Sequence, residues 1–599
     1  MLKKMILKCL LVLISVVTIG LFGTGLHGKM IFDDNRNVVE NSDIDHLGAM
    51  LSGSSRPLTE FTFYINYALH GADVVPYHVV NILIHTIAAL LLFGIVRRTL
   101  LLTFFEQRFN DDAPWLAGAV ALIWAVHPLH CESVTYIVQR AESMAGMFAL
   151  LTVYAFLRSS EMSFEQGDEC RISDALDRSI EVEGCCRSNR FWEVISVAAC
   201  ALGMLSKPVM VVVPLLVLLF DSVFIAKGVR ISLRRRWRLY LLLAMTSLIS
   251  ILLVSLPNES SSSTGFGNGI GAWRYLLTQG DIVWHYLRLS IYPRPLCLDY
   301  EWLPLSGLKF LGYTGIILIV MAVVSVVLLL RRRAVGFIGC WLFITLAPSS
   351  SFIPVDDLAA ERRMYLPLIA VVVLVVFGGY WIVKRCTLHV VARQTLMALI
   401  VIVVVVGLGG LTVQRNRLYE SEKSMWLNVL ESRPDNLRAR MALGKWELNN
   451  GNILEAKKLF MEVLLKMPLD DILEIIPSRL LTLNSLANVN LGVIYEREGD
   501  FVKARNCFRE ALRVAGKNVE AMVNLGIVLS READDPESVE LWTKALEIEP
   551  NHAKAHFCLG WSAMKRGDSA LAREHLVPVE KGRGELAQRA RGMLDMLNR

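Results

Sequence analysis

Apolar runs long enough to cross a bilayer recur through the first two-thirds of this chain, and no other feature limits its fold as much. A stretch of about 18 or more mostly apolar residues is a candidate transmembrane helix, since lipid offers the backbone no hydrogen-bond partners. Residues 5–23, 310–330, 364–383 and 395–413 all qualify. With 54% hydrophobic and 20% charged residues, the chain is too apolar for an ordinary soluble protein. The first run follows a basic start, "MLKKM", as a signal peptide would. It is long, however, and no small-residue cleavage motif stands out, so it reads as a retained first helix.

Lys and Arg favour the cytoplasmic side of a membrane. Basic clusters stand at Lys3–Lys4, Arg97–Arg98, Arg230–Arg238, Arg331–Arg333 and Lys384–Arg385. Placing all of them inside predicts about eleven spans, near 5–25, 77–97, 114–131, 142–157, 191–206, 208–225, 238–256, 310–330, 335–350, 364–383 and 395–413. Residues 272–305, aromatic-rich and broken by prolines, read as an interfacial or re-entrant segment. The loops at 26–76, 132–141, 257–309 and 351–363 then share the outer side, and the polar insertion 158–190 is an inner loop. The expected class is all-α, a polytopic helical bundle.

Beyond residue 413 the character changes. Residues 414–599 hold 28 Lys+Arg against 27 Asp+Glu and no run long enough to span. The pair Leu-Gly recurs at 443–444, 491–492, 525–526 and 559–560, so the last two intervals are 34 residues and the first is 48, one period plus 14. Gly451, Ala456, Phe460 and Pro468 follow the first copy, and similar residues follow the others. Four in-register copies are the tetratricopeptide signature, and "SEKSMWLNVLESRP" before them reads as a partial leading repeat. The division expected is therefore a membrane domain at 1–413 and an α-solenoid at 414–599, whose concave groove suits an extended peptide.

Polar residues beside spans are functional candidates by default. "WAVHPLHCESVTYIVQRAESMAG" puts His127, His130, Glu132, Arg140 and Glu142 at the outer end of a helical pair. On a single helix His127 and His130 would share a face. His-x-x-His lacks the third and fourth ligands of a metal site, so hydrogen bonding or contact with a phosphate or sugar is the better reading, a divalent metal is the lesser alternative, and no metal ligand is assigned. Lys207 stands at an outer turn and could simply snorkel. Together with Arg140, Arg362 and Arg363 it makes a candidate anion site. Asp33 and Asp34, just beyond the first span, add carboxylates on the same face. That inventory suits attack by a hydroxyl on a sugar whose leaving group is a lipid-linked phosphate: a carboxylate takes the proton and cations meet the phosphate. The eleven cysteines have no metal spacing, and the net charge of +6 forms no basic stripe with aromatics, which argues against nucleic acid.

Six stretches carry a family resemblance: "FDDNRNVVEN", "SRPLTEFTFYINYALHG…PYHVVNILIHTIAALLL", "AVHPLHCESVTYIVQRAE", "LSKPVMVVVPLLVLLFD", "SIYPRPLCLDY" and "FIPVDDLAAERRMYLP". In this order, with the repeats behind them, they resemble the transmembrane and tetratricopeptide repeat-containing O-mannosyltransferases and their bacterial relatives, membrane glycosyltransferases of the GT-C class. The resemblance implies a polyprenyl-phosphate sugar donor and inverting transfer of the sugar, mannose in eukaryotes, to a protein hydroxyl. It implies that Asp33 or Asp34 is the catalytic base, with Asp33 favoured and Asp34 supporting. Arg362 and Arg363 match the family's basic residues for the lipid phosphate, and His127, His130 and Arg140 match its second motif. From the residues themselves, Lys207 and Arg140 join the candidate phosphate site, and Glu132 joins His127 and His130 as a candidate for substrate contact. It further implies a multi-pass protein, of the inner membrane in a bacterium, with repeats on the periplasmic or lumenal side engaging the acceptor. The short array fits a bacterial relative. The competing expectation is a non-enzymatic membrane scaffold whose repeats recruit partners for envelope assembly.

Overall fold

A computed structural model describes the chain apart from residues 1, 35–36, 39–43, 45, 52–53, 174–181, 256–270, 305–312, 356, 387–388, 468–477, 533–535, 583 and 599. Asp356 and Asn258, which opens an Asn-Glu-Ser sequon, lie outside the described residues, as does most of the 14-residue insertion in the first repeat. Among the described residues the fold is all-helical, and it divides into two compact units, Met1–Ser432 and Arg433–Arg599.

The first unit opens with α1 (Leu2–Phe22), α2 (Leu47–Leu51), α3 (Pro57–His70), α4 (Val74–Leu100) and α5 (Ala113–Ala125). Then come α6 (Cys131–Val134), α7 (Arg140–Ser173), α8 (Val182–Ser206), α9 (Val213–Phe224), α10 (Val229–Ser255) and α11 (Ala272–Ile291). It closes with α12 (Tyr313–Leu330), α13 (Ala334–Leu346), α14 (Leu368–Cys386), α15 (Val390–Leu418) and α16 (Glu422–Ser432). A helix stands at each of the eleven segments read as spans. Six are long and apolar enough by themselves to cross a membrane, or seven if the bent pair Ala113–Ala125 and Pro128–Val134 counts as one, among the described residues. The helices at 208–224 and 334–346 are apolar but shorter. The 158–190 stretch is not the loop its polarity suggested, because α7 continues to Ser173 and α8 begins at Val182.

Bulky side chains facing small ones set the helix contacts. Gly94 of α4 leaves room for the Tyr154 ring of α7, and Gly146 of α7 receives Tyr365. The Tyr365 hydroxyl meets His85 Nδ1 at 2.9 Å, and the Trp124 indole donates to the Tyr365 carbonyl at 3.1 Å. These contacts tie α4, α5 and the start of α14 into one packed interior.

The segment at 272–305 contains an amphipathic helix, α11. Tyr275, Gln279, Ile282 and Tyr286 are buried on one face, while Trp273, Trp284 and Ile291 are exposed on the other. The buried hydroxyls work on the 349–363 loop. Tyr275 donates to the Ser349 carbonyl at 2.7 Å, and the Ala360 amide donates to Tyr286 at 2.7 Å.

The second unit is an array of paired helices: α17 (Leu437–Asn449) with α18 (Ile453–Leu465), α19 (Ser478–Arg497) with α20 (Phe501–Val514), α21 (Val519–Glu532) with α22 (Pro536–Ile548), and α23 (Ala553–Lys565) with α24 (Ser569–Glu580). A last helix, α25 (Glu585–Leu597), follows. The Leu-Gly pairs have a steric explanation. A Cβ on Gly444, Gly492, Gly526 or Gly560 would sit 2.6, 2.5, 2.5 or 2.7 Å from Phe460, Phe508, Trp542 or Leu576 of the partner helix. Each glycine thus lets one large side chain close the helix pair. The turns use Gly451, Gly499 and Gly567 at φ of +82°, +82° and +77°, a region favourable to glycine. Asp500 and Asp568 cap the helices that follow two of these turns, accepting from Lys503 and Leu571 amides at 3.1 and 3.0 Å.

Candidate functional site

The two acids after the first helix have different surroundings. Phe32 has a positive φ of 48°, and Asp33 and Asp34 follow on a short helical turn. Neighbouring side chains on such a turn diverge by roughly 100°. Asp34 points inward and is 1% exposed. Its carboxylate accepts from the Val138 amide at 2.7 Å and the Ile31 amide at 3.2 Å. Burial nevertheless raises its pKa to about 8, and the nearby Asp33 charge adds to the rise. Asp33 is only half-buried, with its backbone amide donating to the Tyr136 hydroxyl at 3.1 Å.

Asp33 belongs to a charged cluster. The Asp33, Glu60 and Glu142 carboxylates all act electrostatically on the Arg56 guanidinium, whose pKa is lowered by burial and then by the Arg362 charge. Arg56, at the N-terminal end of α3, makes no side-chain hydrogen bond or ion pair among the described residues. Lys207, between α8 and the next helical turn, is ion-paired with Glu142 near the start of α7. Burial, opposed by Glu142 and aided by Arg56 and Arg362, pulls its pKa down to about 8. Arg362 is ion-paired with Glu132, and its amide donates to the same carboxylate at 2.8 Å. Asp357 lies 3.4 Å from its guanidinium. Arg56, Lys207 and Arg362, from three separate loops, are therefore within electrostatic reach of one another, and Asp33 is within reach of Arg56.

The other basic candidates are occupied by the protein itself. Arg140 is fully buried, donating to Asn81 and Asn66 at 2.7 Å, and to Thr62 and the Tyr77 carbonyl at 3.1 Å. Its guanidinium lies 4.5 Å from the Phe63 ring centre. It braces α3, α4 and α7. Arg363 binds the carbonyls of Leu358 at 2.8 Å and Ser349 at 3.1 Å, and also that of Asp357, which fixes the loop presenting Arg362.

The two histidines do not share a helix face, because Pro128 starts a tight 3-10 turn after a 51° break. His127 caps that turn through the Leu129 amide at 3.3 Å, and its Nε2 meets the Ser290 carbonyl at 3.2 Å. His130 is fully buried among Trp124, His85 and Tyr365, and among the described residues neither ring nitrogen has a partner at hydrogen-bond geometry. Among the described residues no group of three or more His, Cys, Asp or Glu could hold a metal.

Sequence reasoning missed Arg56 and Glu60, because nothing in "SRPLTEF" separates a site arginine from any other loop cation. It also missed Glu361, which is fully buried and has its pKa raised by burial. Glu361 accepts from the Cys297 amide at 2.5 Å and the Tyr300 hydroxyl at 2.7 Å, joining "SIYPRPLCLDY" to "AAERRMYLP". Buried acids with several donors were not separable from surface acids by type alone.

An open apolar groove runs between α3 and α4, with Ile65, Leu69, Val75 and Val79 among its walls. Helix α3 thus carries Arg56 at one end and groove residues on its later turns.

The chain is 23% identical over 479 residues to a protein O-mannosyl-transferase of Caenorhabditis elegans, covering 76% of this chain and 62% of that one. It is 26% identical over 504 residues to protein O-mannosyl-transferase TMTC4 of Mus musculus, covering 75% and 65%. The curated homologues are TMTC-family protein O-mannosyl-transferases. The resemblance carried by the six motifs therefore holds, over about three-quarters of the chain. The matches leave more than a third of these two relatives' own length unaligned. Tetratricopeptide repeat models match residues 485–518 and 541–574. A solved MamA structure is 18% identical over 27% of this chain and 80% of that one, with a TM-score of 0.21.

Proposed function

We propose that this protein is a membrane glycosyltransferase moving a sugar, mannose in the first instance, from a polyprenyl-phosphate donor to a Ser or Thr hydroxyl of a protein. The observation that carries the reading is the convergence of Arg56, Lys207 and Arg362 beside a half-exposed Asp33. In this scheme the Asp33 carboxylate takes the proton of the acceptor hydroxyl. The hydroxyl oxygen bonds to the anomeric carbon from the side opposite the phosphate, inverting it, and the bond from that carbon to the phosphate oxygen breaks. The leaving phosphate keeps the electron pair, and its charge meets Arg56, Lys207 and Arg362. Asp34, held protonated below about pH 8, is a poor candidate for the base and serves to place its neighbour. Arg140 and Arg363 act as positioning residues. The apolar groove on α3 suits the polyprenyl chain of a donor whose phosphate sits at Arg56. The homologues' printed activity supports the acceptor class, and the tetratricopeptide array is the proposed holder of the acceptor. His127, His130 and Glu132 shape the site's wall, and no metal takes part in this scheme. The bundle is proposed to sit in a bacterial inner membrane, with this face and the repeats periplasmic.

The test is transfer by the full-length chain from polyprenyl-phosphate mannose, and from a panel of other sugars, to Ser/Thr-rich peptides. The anomeric configuration of the product would be read by NMR. An inverted linkage is expected. A retained configuration refutes the mechanism, and no transfer from any donor favours the scaffold.

A further inference from the structure

At the end of the bundle opposite Asp33, two turns rich in arginine meet. Helix α9 and the helical turn before it run from Lys207 to Phe224, and α13 runs from Ala334 towards the loop carrying Arg362, so each connects the charged cluster to the far end. Phe224 of α9 packs on Phe337 of α13 with ring centres 5.3 Å apart. There the α9–α10 turn presents Lys227, Arg230, Arg234, Arg235 and Arg238, and the α12–α13 turn presents Arg331–Arg333. Lys227 and Arg332 take left-handed backbone at φ of 60° and 53°. A Cβ on Gly228 would lie 3.5 Å from the Arg332 guanidinium, so the turns touch.

All eight of these cations are exposed, and none makes a side-chain hydrogen bond or an ion pair among the described residues. Arg236 differs. It is bound to buried Asp221 at 2.6 Å, and Tyr240 donates to the same carboxylate at 2.7 Å. The helix kinks at Arg236, with φ −127° and ψ 32°, within a basic arm of residues 227–238 that precedes the apolar remainder of α10. The arm interleaves its arginines with exposed Ile231, Leu233 and Trp237. It begins one candidate span, and Arg331–Arg333 follow another, Tyr313–Leu330. Uncompensated guanidinium groups among apolar and indole side chains, at the ends of two spans, match a bilayer surface bearing negative headgroups.

We propose that the 227–238 arm and the 331–333 turn form a binding site for anionic phospholipid headgroups, the phosphodiester held between Arg230, Arg234 and Arg332. The site is independent of the transfer chemistry at the other end. The competing occupant is the chain's own insertion 158–190, which carries eight acids against five bases. The interleaved Trp237, Ile231 and Leu233 favour lipid, since an acidic peptide has no use for exposed aliphatic neighbours.

The experiment uses the full-length chain in nanodiscs of phosphatidylcholine with a minor share of phosphatidylglycerol, and native mass spectrometry after release into detergent. Wild type is expected to retain phosphatidylglycerol out of proportion to its share. The triple variant R230Q/R234Q/R332Q should lose that preference by roughly a hundredfold. A K3Q/K4Q variant, at another basic cluster, should keep it. A melting temperature matching wild type verifies that the triple variant is folded. Equal retention of both lipids by wild type, or unchanged preference in the triple variant, overturns the proposal. So does a preference that emerges only when residues 161–189 are deleted, since the insertion would then be the occupant.

Discussion

Asp34 accepts a 2.7 Å hydrogen bond from the Val138 amide, so the second acid of the pair fastens the first loop to the turn ahead of α7. With a folded-state pKa near 8 against an ordinary 3.8, the folded protein holds a proton that the unfolded chain releases. Stability from this group is therefore full at low pH and is lost as pH rises from about 4 to 8. Asp34→Asn removes that titration. Thermal melts of the variant should vary less with pH across this window than wild type, and it should melt no lower at pH 7. A variant melting well below wild type at pH 7 would mean that the carboxylate is ionised and favourably held.

Lys207 has the opposite sense. Its folded pKa near 8 lies below the ordinary 10.5, so stability from this group rises between those values while its charge disappears. If that charge holds the donor phosphate, transfer at limiting donor falls as pH passes about 8. Lys207→Arg should shift the falling limb upward, and Lys207→Gln should raise the donor KM below about pH 8 and flatten that limb. A pH–rate profile unchanged by Lys207→Arg would remove Lys207 from donor binding.

Arg140→Lys should lower stability by roughly 3–5 kcal/mol, because Asn66, Asn81, Thr62 and the Tyr77 carbonyl lose a planar donor that an ammonium cannot replace. Detergent-phase thermal melts would read this. A loss confined to donor KM, with the melt unchanged, would reassign Arg140 to the phosphate.

Gly492→Ala puts a methyl 2.5 Å from the Phe508 ring and should destabilise the repeat array by about 1–3 kcal/mol. Adding Phe508→Leu should restore part of the loss, as limited proteolysis of the full chain would report. Proteolysis of Gly492→Ala at the wild-type rate would mean that the pair has slack.

The repeats could be read in the sequence because each Leu-Gly answers one bulky side chain at a fixed interval, and the helices stand where apolar runs put them. The site was less legible. Arg140 and Arg362 look alike in sequence, yet one is enclosed by amides from α3 and α4 while the other faces Arg56 and Lys207. That difference depends on contacts across 59 to 74 positions or more, which local pattern does not encode. The resemblance already favoured Asp33 over Asp34, and the physical difference between them, burial of Asp34 after the turn at Phe32, is a matter of tertiary contact that local pattern does not encode. The insertion at 158–190 lacks apolar periodicity, so its helical ends were read as loop.

The most direct test is the transfer rate of Asp33→Asn beside that of Asp34→Asn, in the full-length chain with polyprenyl-phosphate mannose and a responsive peptide. The account predicts a loss of about 10²–10⁴-fold for Asp33→Asn and a rate within a few-fold of wild type for Asp34→Asn. An active Asp33→Asn, or an inactive but folded Asp34→Asn, would contradict it.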